Sequence, residues 1–208
     1  IGGRKVSKME SIRTDEQAMS YLSQKDPVLK TVIERVGPIE RPGRGELFPA
    51  LIRQIVGQQV SMKAARTVYS RLETLVGEVT PERILATAED DLQQCGLSFR
   101  KVTYMLSTAK DVKDGTVKLE ELHALTDDEV IQELTKLKGI GRWTAEMLLM
   151  FSMGRPNIFP IDDLGIQRGL RNLYKRELSK EWLDELRETY SPYGTTASLY
   201  IWEVSAAE

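Results

Sequence analysis

Apolar residues recur at a period of 3.6 along most of this chain and almost nowhere at a period of two. The clearest stripe is Leu47, Phe48, Leu51, Ile52, Ile55 and Val56. After an interruption at Gly57-Gln58-Gln59-Val60-Ser61 it resumes as Ala64, Ala65, Val68, Leu72 and Leu75. One face of a helix repeats every three to four residues, so these stripes predict amphipathic helices. Start signals agree with them. Asp15 precedes residues 16–24, Asp26-Pro27 precedes Val28, Leu29, Val32, Ile33 and Val36, and Ser61, Thr80-Pro81, Ser98 and Ser179 stand at other helix starts. Each supplies a side-chain oxygen for orphan amides, some with a proline that needs no amide partner. Residues up to about Val36 therefore read as helical. Gly37-Pro38 and Arg41-Pro-Gly-Arg-Gly45 break the pattern and predict a domain crossing. Helices are also predicted over residues 164–174, 180–190 and 197–204. No segment shows strand alternation, and there is no repeat or low-complexity run.

The stretch over residues 134–151 organises the rest. Thr126 and Glu129 are spaced as a capping box ahead of Val130, Ile131, Leu134 and Leu137. That helix ends in Lys138-Gly139-Ile140-Gly141-Arg142, and a second begins at once. Two glycines around one apolar residue admit positive φ and close approach, with Ile140 turned inward and the opening amides of the second helix turned outward. Such amides form an anion site. With Lys136, Lys138 and Arg142 beside them, the matching anion is a nucleic-acid phosphate. A plain αα-hairpin with a glycine C-cap is the structural alternative. Gly154-Arg155-Pro156 and Phe159-Pro160-Ile161-Asp162-Asp163-Leu164-Gly165 follow, then a third helix. An aspartate before Leu164 is an ordinary helix cap, and Asp162 is expected to be that cap or a surface partner.

Composition narrows the classes. At 208 residues, 41% hydrophobic and 29% charged, the chain suits one large domain or two small ones. A net charge of −2 counts against a generic nucleic-acid binder and leaves room for a local basic face. No apolar run reaches membrane-spanning length and no signal peptide is visible, so an intracellular protein with no membrane partner is expected. One cysteine, Cys95, excludes an internal disulfide and a four-cysteine iron–sulfur cluster. One histidine, His123, argues against a His-based triad or a poly-His metal site.

The order hairpin, Gly/Pro-rich loop, aspartate resembles the helix-hairpin-helix (HhH-GPD) DNA glycosylase superfamily. The run Lys-Gly-Ile-Gly-Arg-Trp-Thr-Ala from Lys138 is most similar to its alkylbase branch, the 3-methyladenine DNA glycosylase II family. The likeness covers residues 47–202. It implies an all-α, two-lobed helical bundle carrying a helix-hairpin-helix DNA-binding motif, with the active site in the inter-lobe cleft. Residues 47–154 would form a central lobe, and residues 1–46 with 155–208 a discontinuous lobe bearing the catalytic aspartate. The resemblance makes Asp163 that aspartate. It places Trp202 in the base pocket with Trp143 near its mouth, and Tyr200 and Tyr193 as further candidates. Met147 stands where some members carry a pocket aromatic, and Gly194-Thr195 replaces a frequent Arg-Ser. The junction through Gln59 and Ser61 would face the DNA, with Ser61 a DNA-binding residue and Gln59 filling the gap left by an extruded nucleotide. Lys138, Gly139, Ile140, Gly141, Arg142 and Thr144 would meet the DNA backbone. Main-chain carbonyls of Thr135, Leu137 and Ile140 would hold a monovalent cation, sodium or potassium, and no other cofactor is required.

The chemistry of these residues fits that likeness. Breaking an N-glycosidic bond develops positive charge on the sugar, which a fixed carboxylate stabilises. No convincing second carboxylate is at hand to protonate a leaving group. An alkylated purine is already cationic and needs no such acid. Bifunctional relatives carry a lysine where this chain has Trp143, so no Schiff base is expected here. The implied partner is double-stranded DNA with damaged bases, met by a monomer. The implied activity is a monofunctional glycosylase of base excision repair that releases 3-methyladenine- or 7-methylguanine-type bases. The alternatives are the same scaffold acting on an oxidised or deaminated base, or a non-catalytic module that binds DNA structure.

Overall fold

The computed structural model describes residues 10–207. Residues 1–9, the start of the expected second lobe, and Glu208 lie outside the described residues. In chain order come strand β1 (Ser11–Arg13), helices α1 (Glu16–Lys25) and α2 (Pro27–Val36), and strand β2 (Glu40–Pro42). Helices α3 (Leu47–Gly57), α4 (Met62–Val76), α5 (Pro81–Leu85), α6 (Glu89–Gln94) and α7 (Phe99–Lys113) follow. A 3-10 turn at Leu119–Ala124, which contains His123, precedes α8 (Asp127–Leu134), α9 (Arg142–Phe151), α10 (Leu164–Tyr174), α11 (Lys180–Tyr190) and α12 (Gly194–Ala206). The fold is all-α, and among the described residues no helix is long and apolar enough to cross a membrane.

The caps act as their chemistry dictates. Asp15 accepts the Ala18 amide at 2.7 Å, Ser61 accepts that of Ala64 at 3.2 Å, and Thr126 and Glu129 close a reciprocal box at 3.3 and 2.8 Å. Three elements depart from the sequence pattern. Residues 11–13, expected to be helical, pair antiparallel with β2, Ile12 opposite Arg41. Three residues are too few for alternation to show. Helix α6 opens on Ala88, which offers no side-chain cap, and so carries no start signal. Helix α12 begins at Gly194 and ends at Ala206, longer than predicted at both ends; Tyr193 likewise supplies no capping side chain to mark its start.

The chain packs as two compact units, Arg44–Leu148 and Glu10–Gly43 with residues 149–207. The second break falls inside α9, whereas glycine and proline mark Gly154. A continuous helix gives no compositional sign of where its side chains change neighbours. In the first unit α3 is the core element: Ala50, Leu51, Ile52, Ile55 and Val56 are each at most 1% exposed. That is wider than one stripe, since α3 packs on both α4 and α7.

In the second unit α10 lies against α12 at Gly169. A Cβ added there would stand 2.3 Å from the Ile201 carbonyl oxygen, so only glycine permits this approach. The unit also buries a polar cluster. Asp26 Oδ1 caps α2 by accepting from Val28 and Leu29 at 2.9 and 3.0 Å. Its Oδ2 accepts from the Tyr190 hydroxyl at 2.9 Å and from the Tyr174 hydroxyl, and the two phenols lie 2.6 Å apart. Burial holds both phenols above the ordinary tyrosine value, reinforced at Tyr174 by the Asp26 carboxylate and at Tyr190 by Tyr174 and then Asp26. The unfolded chain ionises them near 10.0 while the folded chain does not. Their stabilising contribution is therefore complete below that pH and falls as pH rises above it. Tyr190→Phe is expected to cost about 1–2 kcal/mol at neutral pH and to flatten the alkaline loss. Urea unfolding at neutral pH and at about pH 11 measures both effects.

Candidate active site

In the first unit the turn between α8 and α9 is built on one obligatory glycine. Gly139 has φ +80, and an added Cβ would meet the Tyr104 ring at 2.4 Å. Gly141 differs: its φ is not in the left-handed range and nothing lies within 4 Å of an added Cβ. Ile140 between them is 4% exposed, and its amide donates to the Leu137 carbonyl at 3.2 Å. Helix α9 then starts on the Gly141 carbonyl, which accepts from Ala145 at 3.1 Å. Gly141 brings no side chain to cover the first-turn amides, the arrangement that favours an anion. Lys138, Gly139, Gly141 and Arg142 are exposed. Arg142 pairs at 3.3 Å with Glu146, whose side chain is nearly buried, and Lys136 pairs at 2.5 Å with Glu133.

The α3–α4 junction is tied to this turn. Gln58 Nε2 donates to the Gly139 carbonyl at 2.8 Å. Lys101 Nζ, at the start of α7, donates to the Val56 carbonyl at 2.7 Å, and burial lowers its pKa. Between these anchors Gln59 is exposed with φ +56, a conformation that a non-glycine residue adopts at a cost. The neighbouring glutamines thus separate in role: Gln58 fastens the junction, and Gln59 projects from it.

In the second unit Asp163 is itself the N-cap of α10, which corrects the cap alternative offered for Asp162. Its Oδ1 accepts from the Ile166 amide at 2.8 Å and from the Trp202 indole Nε1 at 2.9 Å. Trp202 stacks on Phe151, ring centroids 6.0 Å apart at 27°. A negative group at a helix N-terminus is favoured by the amide dipoles. A carboxylate beside an aromatic pair is equipped to hold a cationic ring and stabilise an adjacent cation.

Residues 52–192 match the family described as HhH-GPD superfamily base excision DNA repair protein. The chain belongs to this superfamily. A DNA-3-methyladenine glycosylase 1 of Schizosaccharomyces pombe is 34% identical, over 95% of this chain and 91% of the relative. The solved DNA-3-methyladenine glycosidase of Bacillus halodurans superposes with a TM-score of 0.87 at 35% identity, covering 96% of this chain and 94% of that one. A 3-methyladenine DNA glycosylase of S. pombe in complex with abasic DNA gives 0.78 at 34%, covering 90% and 95%.

Within this HhH-GPD chain the pocket expectations need revision. Asp163 and Trp202 do come together. Tyr200 does not line a surface: it is fully buried, and its hydroxyl donates to the Gly37 carbonyl at 2.8 Å. Tyr193 packs edge-on against Tyr21 at 5.2 Å, and Trp182 sits against Tyr174 at 5.1 Å. Met147 is 3% exposed and Trp143 43%. Thr144, at the third position of α9, is 8% exposed, so its hydroxyl is largely withdrawn from the surface. Gly194-Thr195 makes a contact of its own in place of the Arg-Ser. The Thr195 hydroxyl donates to the Arg155 carbonyl at 2.6 Å and accepts from Ile158 at 3.0 Å, fixing the loop after α9. Phe151 is a site residue that the family resemblance does not name. It lies four residues beyond Met147 and eight beyond Trp143, on the same helix face, and that spacing is the signal that would have found it.

Proposed function

We propose that this protein excises alkylated purines of the 3-methyladenine and 7-methylguanine type from duplex DNA, leaving an abasic site. The carrying observation is Asp163, a carboxylate held by two N–H donors at the start of α10 beside the Phe151–Trp202 stack. The aromatic faces attract the cationic purine by ~0.5–2 kcal/mol. As the N-glycosidic bond breaks, positive charge passes to the deoxyribose, and the carboxylate stabilises it, orients the attacking water and takes the proton that water gives up on bonding to the sugar. The purine leaves neutral, so no acid is needed. Trp143 has no amine for a Schiff base, so water takes the sugar and the strand stays intact. The protein acts as a monomer on DNA inside the cell.

Grip on the duplex comes from the α8–α9 turn through first-turn amides and Lys138. Three main-chain carbonyls, of Thr135, Leu137 and Ile140, would hold a sodium or potassium ion there and add positive charge toward a phosphate. Hard oxygens suit such ions, and the Ile140 amide takes only one of the two lone pairs of Leu137 O. Gln59 fills the space vacated by the extruded nucleotide. Gln59→Gly is expected to relieve backbone strain and raise stability by up to about 1 kcal/mol. The same change should weaken binding to an abasic duplex by roughly tenfold, the worth of a polar contact. Opposite signs in thermal melting and in binding titration are the signature; parallel losses would remove Gln59 from this role.

The direct test incubates methylated duplex DNA with the protein and identifies what is released. Free 3-methyladenine and 7-methylguanine with an unbroken strand are expected. Absence of both bases, or borohydride trapping of a covalent DNA adduct, would defeat the reading.

A further inference from the structure

Trp202 does more than supply an aromatic wall. Its indole has a single N–H, and that proton is committed to Asp163 Oδ1 at 2.9 Å. The Ile166 amide reaches the same oxygen at 2.8 Å. Two donors on one oxygen fix the rotation of the carboxylate about its terminal bond, which is otherwise broad. The indole can come this close because residue 165 is glycine. A Cβ there would stand 3.0 Å from Asp163 Oδ1 and 3.0 and 3.1 Å from Trp202 Cδ1 and Nε1. Behind the indole, α12 is held against α10 by the contact of Gly169 with Ile201, the residue before Trp202. Phe151 stacks on the indole face and limits its tilt.

We propose that Trp202 is a positioning residue for Asp163, and that Gly165 is the residue that lets it be one. The indole N–H holds the carboxylate plane so that the reacting sugar meets a carboxylate of fixed orientation. Since the N–H is spent on Asp163, Trp202 presents to a base only its ring, a surface that favours positive charge without reading a hydrogen-bonding edge. This inference rests on the reading of Asp163 as the group that stabilises the sugar cation.

Three substitutions separate the donor from the ring. Trp202→Phe keeps an aromatic face and removes the donor. Trp202→His keeps a ring N–H at the corresponding position in a smaller ring. Gly165→Ala keeps both side chains chemically intact and forces them apart. The measurements are the single-turnover rate of base release from methylated duplex at saturating protein, and affinity for a duplex with a tetrahydrofuran abasic analogue. Loss of one hydrogen bond to a charged group corresponds to roughly 10- to 100-fold. Trp202→Phe and Gly165→Ala are each expected to slow release by about that factor, with affinity for the analogue unchanged within about twofold. Trp202→His should recover part of the rate lost in Trp202→Phe. Wild-type release by Trp202→Phe, or a loss of rate matched by an equal loss of affinity, would overturn the positioning role and leave Trp202 a stacking surface. Undiminished release by Asp163→Asn would instead overturn the reading of the site, and this inference with it.

Discussion

Asp163→Asn is expected to slow base release by on the order of 10²–10³-fold, the scale on which a single preorganised electrostatic group acts in a transition state. Affinity for an abasic duplex and the melting temperature should stay close to wild type. The substitution is clean because of what Asp163 does in the fold. Its Oδ1 caps α10 through the Ile166 amide and accepts from Trp202. Asparagine keeps a carbonyl oxygen at that position and caps helices about as well as aspartate. The negative charge is lost, and the second carboxylate oxygen, an acceptor, becomes an amide N–H donor. Asp163→Ala would confuse the two roles, removing the cap at about 1 kcal/mol along with the charge. The decisive comparison is therefore single-turnover release by wild type and Asp163→Asn on the same methylated duplex, alongside thermal unfolding. Release at the wild-type rate by a folded Asp163→Asn protein would end the proposal.

Gly139→Ala should produce the largest loss in the DNA-gripping turn. Two costs add there. A left-handed φ of +80 costs a non-glycine residue ~1–2 kcal/mol. The new methyl would also press on Tyr104 at 2.4 Å, an overpacking worth ~1–3 kcal/mol. Together they predict about 2–5 kcal/mol of destabilisation, read by urea unfolding. Because the Gly139 carbonyl accepts from Gln58, a shifted turn also loosens the α3–α4 junction. Binding to abasic duplex should then fall by more than the unfolded fraction explains. Removing the ring tests the cause: in a Tyr104→Ala background, Gly139→Ala should cost less, by the overpacking share. Gly141→Ala supplies the contrast. Space is open around it and its φ is ordinary, so its stability should stay within about 1 kcal/mol of wild type. Equal costs at the two glycines would show that Tyr104 and the backbone angle are not what sets the turn.

Most helix starts were legible because an N-cap is local chemistry. Asp15, Asp26, Ser61, Thr80, Ser98, Thr126 and Ser179 each bond an amide two or three residues along the chain. Elements without such a signal were lost or misplaced, as with α6 after Ala88 and the start of α12 after Tyr193. The pocket shows the same limit. Tyr200 and Trp202 are two residues apart on one helix, and nothing local says that one is sealed against Gly37 while the other reaches Asp163. The two aspartates are harder still, since Asp162 and Asp163 are both ordinary capping residues by type.

The amino-acid sequence by itself determined the helices, the tight turn at Gly139 and the aspartate after the Gly/Pro-rich loop, because periodicity, capping and backbone freedom act over a few residues. Only the tertiary structure decided that Gln58 fastens the turn while Gln59 projects, that Phe151 backs Trp202, and that the Trp202 indole holds Asp163. Those relations join residues 39 to 81 positions apart, and such distances are set by how helices pack, not by what any short stretch prefers.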